Sequence, residues 1–351
     1  YLLARRLRTA ERWAIAAGWT TALWPLLMAL PLGLATENLF IPLVTFGLWA
    51  LLRADDREGA RAFWLPGLAF GLASLTRSVI IGFPGLAALW TWRSGRRRAA
   101  IVLLLPVLAL TIPWSVRNTL LHDRPTFVES SLGYNLYLGY HPESDGSFQF
   151  GPSLDLITVL DDAERDRIGR RMAWEFIKDD PGRVPGLMLS KLGHFWGLED
   201  RAFIYLYSNG LLGPLPPPVV VALYTLLIVP LIFVLPLAIV GWILPPHARA
   251  WQLIGLLFAW YIGVHLLILS DARFHLALIP LLAALAARGL TKWDDWFQRV
   301  KHGEPRARRA AALAAGLICL AFLNWGLELA SQADQLAILF GPDGWQAGFH
   351  Y

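Results

Sequence analysis

The sequence predicts an all-α polytopic membrane protein with about nine transmembrane helices and one long extracytoplasmic loop containing amphipathic helices. Three observations carry that reading. Of 351 residues, 56% are hydrophobic and only 16% are charged, where a soluble domain carries about a quarter charged. The apolar residues come in blocks of roughly 20, which matches the hydrocarbon thickness of a bilayer. Basic residues gather in alternate connections, the asymmetry that marks cytoplasmic loops.

The elements follow in order. "YLLARRLR" (1–8) reads as the tail of an earlier helix with no signal peptide, so residues are expected before Tyr1. Spans are expected near 13–35, 38–52, 63–76, 78–92 and 99–116, then 217–244, 251–269, 274–290 and 308–330. The short ones, 38–52 and 63–76, are tolerable where neighbouring helices bury them. Pro25, Pro42, Pro84, Pro106, Pro230, Pro236 and Pro280 fall inside them, as membrane helices allow when neighbours satisfy the freed carbonyls. "RRLRTAER" (5–12), "RADDREGAR" (53–61), "RSGRRR" (93–98), "HAR" (247–249) and the stretch 292–309 form the cytoplasmic set. Trp13, Trp64, Trp92, Trp114, Trp242 and Trp251 suit interfacial belts. The resulting segments are 1–116, N-terminal spans; 117–216, the extracytoplasmic loop; 217–330, C-terminal spans; and 331–351, a short extracytoplasmic tail. Topology accounts for the net charge of +5, and no nucleic-acid partner is expected. Cys319 is the single cysteine and makes no internal disulfide.

Within 117–216, Asp161 and Asp162 are N-cap candidates for a helix in which Ile168, Met172 and Phe176 recur at helical spacing. Asp180 and Pro181 mark a second helix start. Both helices are read as lying against the outer face of the membrane.

With this orientation, the outer span ends carry polar residues. Glu37 sits in "LATENLF" and Arg77 in "SLTRSVI"; Arg117 and Asn118 end the fifth span; Asp271, Arg273 and His275 open the eighth in "SDARFHLALIP". Arg77 and Arg273 run against the positive-inside bias, and an arginine deep in a span costs about 2.5–3.5 kcal/mol. Two readings stand for them: they snorkel or pair with an acid such as Asp271, or they bind an anion through the planar guanidinium fork. An anionic lipid headgroup is the natural ligand at this depth. Glu37 likewise has two readings, a helix-start residue or a site acid. His141 and His275 have no second ligand at metal spacing, so no metal site is predicted. No Gly-rich phosphate loop or Ser–His–Asp pattern is present.

Several of these stretches resemble a known family. "PWSVRNTLLHDRPTFVESSLGYNLYLGYHPESDG" (113–146) is similar to the membrane-exit and outer-loop motif of bacterial polyprenyl-phosphate-sugar glycosyltransferases. These are relatives of the dolichyl-phosphate-mannose–protein mannosyltransferases and the aminoarabinose lipid A transferase, in the GT-C superfamily. The shared positions are Pro113, Trp114, Arg117, Asn118, Gly133, Asn135, Leu136 and Gly139. "ARFHLALIPLLAALAARGL" (272–290) resembles the family's Arg-aromatic-basic helix, and "GLAFGLASLTRS" (67–78) its Gly-Leu helix ending in arginine, with Ser78 where proline is usual. "TEN" (36–38) matches the outer connection that carries an acid. The resemblance runs from the start to about residue 290 and fades after 300.

The resemblance implies a membrane glycosyltransferase in a bacterial inner membrane, multi-pass, with its active side extracytoplasmic. Its partners are the bilayer, a polyprenyl-phosphate-linked sugar donor and an extracytoplasmic acceptor: a glycan, a lipid or a protein. The superfamily's principal catalytic aspartate lies in the first outer loop, expected before Tyr1, so no catalytic residue is assigned; Glu37 corresponds to the second acidic position. Arg77, Arg117, Asn118, Tyr134, Asn135, His141, Asp271, Arg273 and His275 are the expected substrate-binding residues. Tyr134, Asn135, Tyr137 and His141 either close over sugar or acceptor or simply pack the loop. Cofactor use is left unknown, since some members need a divalent ion and no ligand cluster supports one. The alternatives are a transporter or flippase of a lipid-linked or anionic solute, or a non-catalytic family member. Transport is disfavoured because the polar residues gather at one face and no two related halves are present.

Overall fold

The computed structural model describes residues 1–33, 35–57, 59–244 and 248–350; Glu58 and His247 of the basic stretches and Tyr351 of the tail lie outside the described residues. Every regular element among the described residues is helical. In chain order the helices are α1 (Leu2–Arg6), α2 (Glu11–Ala22), α3 (Pro25–Ala29), α4 (Glu37–Asp55), α5 (Trp64–Thr76), α6 (Gly82–Arg93) and α7 (Arg97–His122). Across the predicted loop come α8 (Leu132–Tyr140), α9 (Phe150–Ser153), α10 (Asp162–Asp179), α11 (Arg183–Phe195) and α12 (Arg201–Ser208). The C-terminal part has α13 (Pro217–Ile243), α14 (Ala248–Leu267), α15 (Ile279–Lys301), α16 (Pro305–Ser331) and α17 (Ala333–Leu339).

Among the described residues, six helices are long and apolar enough to cross a membrane: α4, α7, α13, Arg249–Leu267 of α14, Ala272–Lys301 including α15, and α16. A seventh is the pair Glu11–Ala22 and Pro25–Gly33, bent by 49°. The bend has a local cause: Pro25 disfavours helical geometry at the residue before it, and Trp24 is extended at φ −64°, ψ 120°. The count of nine is therefore not reached on length. Helices α5 and α6 have 13 and 12 residues, about 20 and 18 Å at 1.5 Å per residue, against a core of about 30 Å. Prolines 42, 106, 230 and 236 do lie inside helices. Pro25 and Pro280 instead occupy the first turn of α3 and α15, where a missing N–H costs nothing.

Packing divides the chain into two compact units. The first comprises Tyr1–Pro31, Trp196–Pro245 and Leu278–Tyr351. In it α15 packs against α13, α2 and α1, and α16 against α13. Arg288 Nη1 donates to Gly241 O at 2.6 Å and Leu244 O at 3.4 Å, satisfying carbonyls that the end of α13 leaves open. The 196–200 segment is fastened by side chains: Trp24 Nε1 donates to Glu199 Oε2 at 2.7 Å, Tyr224 OH to Asp200 Oδ2 at 2.9 Å and Trp325 Nε1 to Trp196 O at 2.7 Å.

The second unit comprises Leu32–Phe195 and Pro246–Ala277. Here α5 packs on α4 and α7, α6 on α7, and α14 on α4, α6 and α11. Asp55, at the last position of α4, is buried between two arginines. Arg96 Nη1 donates to its Oδ1 at 3.0 Å, and Arg249 donates from Nε and Nη2 to Oδ2 and Oδ1, both at 2.9 Å. In the same unit α8 packs on α10. The expected cap at Asp161 forms, accepting from Glu164 N at 2.6 Å, while Asp180 Oδ1 accepts from Arg183 N at 3.2 Å in the turn that leads into the second helix. The second helix starts at Arg183, two residues past Pro181.

Candidate functional site

Three breaks in helical structure carry Glu37, Arg77, Asp271 and Arg273 in the second unit. The first is the start of α4. Thr36 precedes it with no side-chain cap bond, and its hydroxyl donates to Glu37 Oε2 at 3.2 Å. The second follows α5, where Arg77 is extended at φ −147°, ψ 119° and a 3-10 turn, Ser78–Ile80, leads to α6. Trp260 pins this turn. Its Nε1 donates to Val79 O at 2.7 Å, and its ring lies where a Cβ on Gly82 would come within 2.1 Å. The third break lies between α14 and α15, where a 3-10 turn spans Ala272–Leu278. Asp271 Oδ1 accepts from Arg273 N at 3.1 Å and Asp271 O from Phe274 N at 3.0 Å, so this aspartate caps the turn.

These breaks place two guanidinium groups around one aromatic ring. Arg77 Cζ lies 5.9 Å and Arg273 Cζ 5.4 Å from the centroid of Phe274. His265 stacks on the same ring at 4.3 Å, and Tyr261 OH donates to Phe274 O at 3.1 Å. Arg77 pairs with the Glu37 carboxylate and reaches Thr36 Oγ1 at 3.4 Å, both through Nη1. Arg273 is exposed. His275 is buried, with Nδ1 2.7 Å from Phe195 O; a carbonyl only accepts, so that nitrogen carries the proton. Thus the Glu37–Arg77 ion pair and Arg273 lie around Phe274, with Asp271 capping the turn that carries Arg273.

The other expected residues are committed elsewhere in the same unit. Asn118 Nδ2 donates to Phe127 O at 2.9 Å and Val128 O at 3.1 Å, and Trp114 Nε1 donates to Val128 O at 3.1 Å. Arg117 donates to Asn118 Oδ1 at 2.9 Å and lies over Trp114. "PWSVRN" is thus a bracket that holds the chain leaving α7. Tyr134 OH donates to Ser153 O at 2.9 Å, and Asn135 N donates within α8 to Ser131 O at 2.9 Å. His141 ends α8; its Nδ1 accepts from Glu143 N at 3.2 Å and its Nε2 lies 3.7 Å from Asp155 Oδ2. Tyr137 is buried and donates to Asp155 Oδ2 at 2.5 Å. Burial first, then the bond to Asp155, push its phenol far above the usual range. Of the two readings of the loop aromatics, Tyr137 takes loop packing.

Sequence reasoning missed how this loop reaches the third break. Tyr140 OH donates to Leu267 O at 3.0 Å, Lys191 Nζ to Ile268 O at 2.9 Å, and Ser270 N to Gly146 O at 3.1 Å. The carbonyls freed beyond α14 therefore find partners in the loop. Phe274 was in view as the aromatic of the "ARFH" motif, yet its role as the shared surface for two arginines had no sequence signal. His265 and Tyr261 carry no signal in the sequence that ties them to this site.

No group of three or more His, Cys, Asp or Glu side chains able to hold a metal ion occurs among the described residues. In comparisons with known proteins, the model of the dolichyl-phosphate-mannose-protein mannosyltransferase family matches residues 1–116, a similarity consistent with a GT-C-type glycosyltransferase. The match takes in Glu37 and Arg77, and ends just before Arg117. No curated protein and no solved structure gave a match.

Proposed function

We propose that the chain is a multi-pass membrane glycosyltransferase that moves a sugar from a polyprenyl-phosphate donor to an acceptor on the extracytoplasmic side of a bacterial inner membrane. The observation that carries this is the convergence of Arg77 and Arg273 on Phe274 at the heads of apolar helices. The family similarity over residues 1–116 supports the reaction class. In this reading α5 and α6 complete nine spans, and the Glu37 end of α4 faces outward.

Transfer requires the acceptor oxygen to attack the anomeric carbon while the bond from that carbon to the lipid phosphate breaks. The acceptor proton passes to a base, which we do not assign. The phosphate leaves with the bonding electrons, and negative charge grows on its oxygens. Two guanidinium groups beside that phosphate stabilise the charge, Arg77 being held in advance by Glu37 and Thr36. Glu37 is paired with Arg77, so its part is to orient that arginine and keep its charge balanced until the phosphate arrives. Asp271 sets the backbone that carries Arg273. His275, held through Phe195 O, supports the turn from its buried side. Arg117, Asn118, Tyr134, Asn135 and His141 shape the covering segment on the acceptor side.

The test is transfer by the full chain from a radiolabelled sugar on a polyprenyl phosphate, compared with R273A and R77A. Removal of one such donor is expected to lower turnover by about 10²–10³-fold. Turnover and donor binding unchanged in both variants would overturn the reading.

A further inference from the structure

The second unit contains a charged side chain that the proposed reaction does not use. Lys191 of α11 is fully buried, at 0% exposure, a rare state for lysine. Its stem passes Gly146, which has φ +96° and where a Cβ would lie 2.6 Å from Lys191 Cγ. Its Nζ lies 3.2 Å from where a Cβ on Gly139 would stand. No side chain at either glycine would leave room for the lysine as it lies. The amine donates to Ile268 O at 2.9 Å and sits 3.7 Å from the centroid of the Tyr140 ring. Ile268 stands just ahead of Ser270 and Asp271, and Ser270 N is held by Gly146 O. The lysine therefore spans from the loop to the backbone that presents Asp271 and Arg273.

We propose that Lys191 is a positioning residue that fastens the loop to the unwound backbone at 268–270, and that this docking, which sets where Arg273 stands, is coupled to release of the Lys191 proton. The functional half of this rests on the reading of Arg273 as a phosphate ligand.

Burial first, then the nearby Arg183, lower the amine from 10.5 to about 7. Undocked, the amine returns to water and to its ordinary value. The docked form thus holds fewer protons between about pH 7 and 10.5, so docking strengthens as pH rises through that window and is weakest below it. A neutral amine keeps N–H groups to donate to Ile268 O. The other ionisable groups on the packed elements are Arg183 and His194 on α11, Tyr140 and His141 at the end of α8, Glu143 and Asp145 in the turn, and His265, Asp271, Arg273 and His275 around the break. Burial raises Asp145, but bonds from His194 and Ser147 outweigh it and hold the carboxyl far below its usual range. Burial raises the Tyr140 phenol. Neither titrates near neutrality.

Hydrogen–deuterium exchange on the full chain in lipid nanodiscs tests the coupling. After correction for intrinsic rates, protection of the 268–275 amides should rise between about pH 7 and 9, by up to roughly tenfold per unit. The step should vanish in K191M, which cannot titrate. In K191R, which stays charged, protection should be low and flat. A flat wild-type profile overturns the proposal without any variant, and a step that survives in K191M assigns it to a histidine and overturns it too. Binding of labelled polyprenyl phosphate is the second readout, and should show the same step in wild type and lose it in K191M. If binding lacks the step while exchange shows it, the positioning claim fails. If R273A leaves phosphate binding unchanged, the proposed function fails, whatever the exchange profile shows.

Discussion

Helix α4 carries an arginine–carboxylate group at each end, and the two are built differently. At Asp55 two arginines close on one carboxylate. Arg249 grips the carboxylate with two bonds, and Arg96 adds one to Oδ1 and another to the Asp55 carbonyl at 2.8 Å. The carboxylate side is only 5% exposed. At Glu37 one carboxylate meets Arg77 through a single guanidinium nitrogen, while Arg273 stands exposed across Phe274. The residue types are the same. What separates a structural clamp from a candidate binding site is whether an arginine stands without a carboxylate partner among the described residues, as Arg273 does and Arg96 and Arg249 do not. A closed group should therefore register in stability, and an open one in ligand binding.

The largest expected effect is at the closed end. D55A leaves two arginines without their shared carboxylate; breaking a buried group costs about 3–5 kcal/mol, and the half-exposed Arg249 puts this one at the low end of that range. Thermal unfolding in detergent should show a large drop; an unchanged midpoint would mean that the clamp is not buried in the native membrane. At the open end, R273A should keep its unfolding midpoint while losing about 3–4 kcal/mol of transition-state stabilisation in the transfer assay. A loss of stability without a loss of donor binding would erase the contrast between the two ends. N118A sharpens the comparison from a third place. It removes the donor of the Phe127 carbonyl and leaves Val128 O to Trp114 alone, at about 1–3 kcal/mol, and limited proteolysis near Phe127 should accelerate while phosphate binding persists. The smallest effect is expected for D161A, about 1 kcal/mol from a lost N-cap, visible as faster amide exchange in the first turn of α10 with turnover unchanged.

The all-helical, membrane-spanning character and the cap at Asp161 were legible because they depend on local pattern. Glu37, Arg77, Asp271 and Arg273 were legible as candidates for a related reason: an ionisable residue at the end of an apolar helix stands out. The Asp55 clamp was not. Arg96 and Arg249 sit in basic stretches that read as orientation markers, and nothing local tells a solvated arginine from one that closes on an aspartate 41 or 194 positions away. Lys191 was hidden in the same way, since its burial depends on Gly139, Gly146 and Ile268, each on a different element. The count of nine spans is not confirmed on length, because an extended Arg77 ends α5 after 13 residues inside a continuous apolar stretch.

The fit of the Trp260 ring on Gly82 bears on how a mutational map of this protein would look. Any replacement of Gly82 meets the indole, so a saturation screen should score that position as intolerant as a reactive side chain, though it carries no chemistry. Paired libraries would resolve the two. A smaller residue in place of Trp260 should restore tolerance at Gly82, whereas no change at a neighbouring position should do the same for Arg273. Sequence constraint around this site would then separate into positions that compensate one another and positions that nothing replaces.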